Sequence, residues 1–231
     1  MTVTAPSAPA PVVAAAPISQ SASASAAIDH ASRHDPQPSS TTASSSELAS
    51  TKISLRAALR QFPDFPIPGI DFVDILPLFA DHSLHTKLIR ALELQVLTLN
   101  KGVKPDVIVG LDARGFLFGP SLALRLGAGF APVRKRGKLP GPTQEASFDK
   151  EYGADGFQIQ SDAVKKGQSV LVVDDIIATG GSAAAAGKLV QQLGGNLIGF
   201  LFILEIDFLK GRDVLNAPVH TLLSDNMGSG N

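Results

Sequence analysis

Apolar positions along this chain fall into two patterns that alternate from about residue 51 onward. One is a helical stripe. Leu55, Leu59 and Phe62 share a face of a helix expected from about Thr51 until Pro63 stops it. Leu84, Leu88, Leu92, Val96 and Leu99 line a longer helix, with Ser83 as its expected cap and Asn100 to Gly102 as its end. The other pattern is the short apolar run of a strand buried on both faces, found at residues 107–111, 130–134, 170–173, 197–204 and 219–223. Between these runs, Phe116 to Leu126 and the alanine-rich stretch ending at Leu193 read as helices. Alternating strands and helices predict an α/β fold, a mainly parallel twisted sheet flanked by helices. Two stretches stand outside the alternation. Residues 62–75 carry Pro63, Pro66 and Pro68 and read as an extended loop. Lys135 to Gly156 reads as a long irregular segment, and such segments in compact domains usually do work.

Composition divides the chain in two. Of residues 1–50, thirty-one are Ala, Ser or Pro and none is aromatic. Such a segment has too little apolar surface to offset its ordering entropy, so it is expected to be a disordered tail. It lacks the basic start and apolar core of a secretory signal, and one Arg against three acids is unlike a transit peptide, so a cytoplasmic protein is expected. Residues 51–231 are then one domain of ordinary size. The whole chain has net charge −1 and no cysteine. That balance gives no reason to expect nucleic acid or an anionic membrane as partner, and thiolate chemistry is excluded. No apolar run reaches the roughly 20 residues of a membrane span.

The candidate chemistry gathers where strands end. VLVVDDIIATGGS, from Val170, places Asp174 and Asp175 after a buried strand, then a turn rich in glycine and hydroxyls, then a helix. Ligands of open α/β sheets bind beyond the carboxyl ends of the strands. A glycine turn entering a helix N-terminus has the parts of a phosphate cradle. The paired acids suit sugar hydroxyls or a metal's water shell. The plainer reading is an ordinary βα turn with Ser182 as N-cap. Neither a P-loop nor a dinucleotide fingerprint is present. Gly110 opens a second such turn, GLDARGFLFG, with Asp112 and Arg114. RKRGK, from Arg134, packs four cations into five residues and reads either as a solvated basic loop or as a clamp for an anion.

FPDFPIPGIDF, GLDARGFLFGPSLA, RKRGKLPGPT, EYG and VVDDIIATGGS together resemble the type I phosphoribosyltransferases, and among them the adenine phosphoribosyltransferase family, in order and spacing over about residues 53 to 223. The resemblance implies transfer of phosphoribose from 5-phosphoribosyl-1-pyrophosphate to adenine, giving AMP and pyrophosphate. It implies that Asp174 and Asp175 bind the ribose hydroxyls, and that Ala178, Thr179, Gly180, Gly181 and Ser182 bind the sugar's phosphate. Arg114, Lys135 and Lys138 would hold pyrophosphate, and Arg134 would reach from the second subunit of a homodimer. Asp112 and Ala113 would form a cis peptide whose amide faces the pyrophosphate. Phe72 and Ile176 would sandwich the base, and the backbone at Asp71 and Val73 would read its edge. Val73 stands where the family commonly has Arg, so no side-chain role is expected of it. Glu151, with Tyr152 beside it, would handle the purine proton. Mg²⁺ is the implied cofactor, held mainly by substrate oxygens. The rivals are an enzyme for hypoxanthine or another purine, and a non-catalytic purine-sensing regulator.

Overall fold

The computed structural model describes residues 40–69, 71–99, 102–150 and 153–225. Helix α1 spans Ser40–Ala57, so the helix expected from Thr51 begins earlier and takes in part of the expected tail. Its added turns have a reason to form. Leu48 packs against the core, and the Glu47 carboxylate accepts from Arg90 Nε at 2.8 Å. Composition averaged over fifty residues hid these two side chains. Residues 1–39 lie outside the described residues, and the expectation for them rests on composition alone.

After α1 come strand β1 (Arg60–Phe62) and strand β2 (Phe72–Asp74), paired antiparallel with Arg60 opposite Asp74. The proline-rich stretch is therefore the connection of a small hairpin. A short helix α2 (Pro77–Ala80) leads into α3 (His82–Leu99). The cap of α3 is Asp81 and not the expected Ser83: Asp81 Oδ1 accepts the Leu84 N–H at 2.8 Å, satisfying one of the helix's free donors.

The main sheet has seven strands, numbered in chain order: β3 (Val107–Leu111), β4 (Gly129–Lys135), β5 (Thr143–Lys150), β6 (Gly153–Gln160), β7 (Ser169–Ile177), β8 (Asn196–Glu205) and β9 (Val219–Ser224). Their spatial order is β5-β6-β4-β3-β7-β8-β9. Strands β4, β3, β7, β8 and β9 are mutually parallel, as the alternation predicts, while β5 and β6 close one edge antiparallel. That edge corrects the expected irregular segment. Residues 143–160 form a hairpin because single apolar positions, Ala146, Phe157 and Ile159, alternate with polar ones and are buried. Two apolar side chains among eight residues, Ala146 and Phe148, are too faint a period to read from β5 alone.

Two cores lie on the two faces of the sheet. Ile108, Leu171, Val173, Leu201 and Ile203 point to one face, with Leu88, Leu92 and Leu122. Val107, Val109, Val170, Val172, Phe200 and Phe202 point to the other, with Leu189 and Val190. The two-residue alternation along each strand thus buries both faces and makes the strands continuously apolar. Helix α4 (Gly119–Leu126), with its fully buried Leu122, covers the first face, and α5 (Gly181–Gln192) covers the second. A 3₁₀ turn, Arg114–Leu117, precedes α4, so the helix expected from Phe116 starts three residues later. The parallel strands β3 and β7 are neighbours, so the turns that follow them lie side by side at one edge.

Candidate active site

Strand β7 runs on through both acids to Ile177, so Asp174 and Asp175 sit inside its last turn of pleat and point to opposite sides. Asp174 Oδ1 accepts the backbone N–H of Asp175 at 2.9 Å. Asp175 is buried, and its Oδ2 lies 2.7 Å from Arg114 Nε, which the turn after β3 delivers. This contact is an ion pair without hydrogen-bond geometry. The buried Oδ2 therefore keeps an unsatisfied lone pair. Burying two neighbouring carboxylates disfavours their charged forms. Asp174 is pushed well above the usual carboxylate range, first by burial and then by the charge of Asp175. Asp175 is raised by burial as well, against the pull of Arg114.

Beyond β7 the chain turns at Gly180, which has φ of +80° and forms the N-cap of α5. The expected cap, Ser182, is instead the second residue of the helix. A left-handed residue at this position favours glycine, which lacks the Cβ that penalises it. No side chain caps this helix end. The first intrahelical bond runs from the Ala184 N–H to the Gly180 carbonyl, so the amides of Gly181, Ser182 and Ala183 have no partner within the helix. Free amides at the positive end of a twelve-residue helix form an anion site. Arg114, residues 174–183 and Phe202 line a single cleft of about 180 Å³. Of the residues named from sequence, it brings together Arg114, Asp174, Asp175, Ile176, Ala178, Thr179, Gly180, Gly181 and Ser182.

The remaining candidates lie around that cleft. The Asp112–Ala113 peptide is cis, as the resemblance implies. Asp112 Oδ2 accepts from Arg134 Nε at 3.0 Å, so Arg134 is engaged by its own chain. Lys135 ends β4, and Lys138 follows in the turn; both are exposed, while Arg136 is paired with Glu145. Asp71, Phe72 and Val73 belong to the β1–β2 hairpin and do not line the cleft that holds Ile176. Phe72 meets Phe65 edge-on with centroids 5.2 Å apart, and the Val73 side chain packs against the core. Glu151 and Tyr152 lie outside the described residues.

Two ion pairs were not foreseen. Arg60 donates twice to Asp74 Oδ2, at 3.1 and 2.6 Å, and so braces the hairpin carrying Phe72. Arg212 donates to both oxygens of the buried Glu205 at the end of β8. Each pair joins residues that no motif links, though a lone charge closing an apolar strand, as at Glu205, is a signal for a partner.

The carboxylate pair also makes a stability prediction. A carboxyl whose folded pKa is raised favours the folded state most below its unfolded value near 3.9, and that contribution is lost as pH rises towards the folded value. At neutral pH the ligand-free fold therefore holds Asp174 at a cost. Asp174→Asn is expected to raise the melting temperature of the ligand-free protein at pH 8 by a few degrees, about 2–4 °C for each 1 kcal/mol recovered, with the gap closing towards pH 4. Melting scans across that range, showing a lower melting temperature for the variant at pH 8, would sink the assignment of strain to this pair.

A central parallel sheet with a carboxylate pair and an open helix N-terminus at its carboxyl edge suits a sugar phosphate, and a family profile described as the phosphoribosyl transferase domain matches residues 79–225, which makes the chain a phosphoribosyltransferase by family. The adenine phosphoribosyltransferase of Yarrowia lipolytica is 60% identical over 177 residues, covering 77% of this chain and 97% of its own. The crystal structure of the Saccharomyces cerevisiae enzyme, complexed with an iminoaltritol bisphosphate and adenine, has a TM-score of 0.74 at 58% identity and covers 76% of this chain and 99% of its own. That of the Trypanosoma brucei enzyme, in complex with AMP, pyrophosphate and ribose-5-phosphate, has a TM-score of 0.68 at 25% identity, covering 78% and 82%. The chain belongs to the adenine phosphoribosyltransferase family.

Proposed function

We propose that this chain transfers the phosphoribosyl group of 5-phosphoribosyl-1-pyrophosphate to adenine, forming AMP and releasing pyrophosphate. The observation that carries the reading is the uncapped N-terminus of α5 beside the buried carboxylates of β7, a cradle for phosphate next to acceptors for hydroxyls. In this assignment the amides of Gly181, Ser182 and Ala183, with Thr179 and Ser182 hydroxyls, hold the 5-phosphate. Asp174 and Asp175 accept from the ribose hydroxyls, which supply the donors that Asp175 Oδ2 lacks. Arg114, Lys135 and Lys138 neutralise the pyrophosphate as the bond to the sugar carbon breaks, the moment at which differential binding accelerates the step. Adenine then forms the new bond through N9 while Glu151 takes its proton.

The residues present fit the implied Mg²⁺. Asp174 and Asp175 are hard oxygen donors beside the cleft, the donor type that Mg²⁺ takes. When bound there it would help to neutralise the leaving pyrophosphate. Among the described residues no helix is long and apolar enough to cross a membrane. The cytoplasmic assignment draws on the composition of residues 1–50, and the homodimer on the family resemblance.

Asp175→Asn tests the ribose contact. It is expected to raise the KM for phosphoribosyl pyrophosphate roughly tenfold or more, in line with the ~1.5–3 kcal/mol of a hydrogen bond to a charged group, while the KM for adenine changes little. An unchanged KM for the sugar substrate removes Asp175 from the ribose site.

A further inference from the structure

Downstream of β8 the chain makes two 3₁₀ turns, Asp207–Leu209 and Gly211–Val214, and the second is seated against the phosphate loop. The contact is backbone on backbone. A Cβ at Gly211 would stand 2.1 Å from the Ala178 carbonyl oxygen and 2.9 Å from the Gly180 nitrogen. A Cβ at Gly180 would stand 2.2 Å from the Gly211 carbonyl oxygen and 2.7 Å from Val214 Cγ2. Neither residue can carry a side chain without moving the other, since close-packed interiors leave no slack on that scale.

The segment is itself pinned. Arg212 Nε donates to Glu205 Oε1 at 2.6 Å, and a second guanidinium N–H donates to Oε2 of the same carboxylate. A two-point fork of this kind fixes geometry as well as charge. Thr221 Oγ1 donates to Glu205 Oε2 at 3.2 Å, tying in β9. Pairing with Arg212 holds Glu205 below the usual carboxylate range. Glu205 is the register partner of Ile177, the last residue of β7 before the loop begins. The fork thus joins the segment to the strand end next to the one that launches the loop.

We infer that Gly211–Val214, held by the Arg212–Glu205 fork, is a positioning element that sets the phosphate loop, and through it the aim of the free amides of α5. This inference rests on the function proposed above. Arg212 and Gly211 touch no substrate in this account; they act through the Ala178 and Gly180 backbone. A misplacement of about 1 Å from a residue remote from the chemistry can lose on the order of 10²-fold. The loss should fall on the substrate whose phosphate the loop holds.

Three variants test it: Gly211→Ala, Arg212→Ala and Arg212→Lys. Gly211 has no positive φ, so alanine there adds no torsional strain of its own, and its methyl group acts only by pressing on the Ala178–Gly180 backbone. The first two are expected to raise the KM for phosphoribosyl pyrophosphate about 10–100-fold and to weaken calorimetric binding of ribose 5-phosphate in step. The KM for adenine should stay within about twofold, because the base does not meet the loop. Arg212→Lys, which keeps the charge but not the fork, should fall between wild type and Arg212→Ala. A purely structural role predicts a lower melting temperature and fewer active molecules with both KM values unmoved, and that result, in an active wild-type background, overturns the inference alone. A wild type that makes no AMP overturns the underlying function as well.

Discussion

Glu151→Gln is expected to lower kcat with adenine by about 10²–10⁴, the usual worth of a positioned proton carrier. The KM for phosphoribosyl pyrophosphate should change little, because the contact matters as the base reacts and not as the sugar binds. A neutral purine must shed a ring proton as N9 bonds to the sugar carbon, and the two carboxylates that line the cleft are given to the ribose hydroxyls in this assignment. Asp175 is committed to Arg114, and Asp174 lies inside the strand against its neighbour's amide. The resemblance assigns the task to Glu151. Strands β5 and β6 pair from Thr143 opposite Gln160 to Lys150 opposite Gly153, and Glu151 and Tyr152 join them in the sequence. Single-turnover measurements decide it: near wild-type kcat, with chemistry shown to be rate-limiting, removes the proton-carrier role.

Adenine is expected to be used on the order of 10⁴-fold more efficiently than hypoxanthine, measured as kcat/KM in direct competition. The 6-amino group donates a hydrogen bond, whereas a 6-oxo group only accepts. A base edge read by main-chain carbonyls at Asp71 and Val73 would meet the oxo group with a second lone pair. Leaving buried polar groups unpaired is what gives discrimination of this size. It also requires an edge that cannot shift. Two contacts brace the β1–β2 hairpin: Arg60 holds Asp74, and Asp74 Oδ1 accepts the Leu76 N–H at 2.9 Å. Comparable rates with the two bases would contradict the assignment of this edge.

What could be read from sequence follows from how far each signal reaches along the chain. The parallel strands were legible because burial on both faces leaves unbroken apolar runs such as Val170–Val173. The phosphate loop was legible because its parts are contiguous, strand, acids, glycine turn and helix within a dozen residues. The edge hairpin was not, since the apolar residues of β5, Ala146 and Phe148, stand among six polar ones. The first turns of helix α1 were missed for a related reason: Leu48 and Glu47 sit among serines and alanines, and their partners, the core and Arg90, lie far along the chain. Helix caps misled at both Ser83 and Ser182. In each case a hydroxyl residue lay near the right place, and the backbone turned two residues earlier, at Asp81 and at Gly180. The Arg212–Glu205 fork is long-range in space although seven residues separate the pair, because its purpose, seating Gly211 under Gly180, exists only once β7 and β8 are side by side.

The most direct measurement supplies the purified chain with phosphoribosyl pyrophosphate, Mg²⁺ and each nucleobase in turn, and follows nucleotide and pyrophosphate together. The account predicts AMP and pyrophosphate in equal amounts with adenine and, with phosphoribosyl pyrophosphate well below the wild-type KM, a rate lowered roughly tenfold or more by Asp175→Asn. No nucleotide from adenine, or AMP formed undiminished by Asp175→Asn, would contradict it.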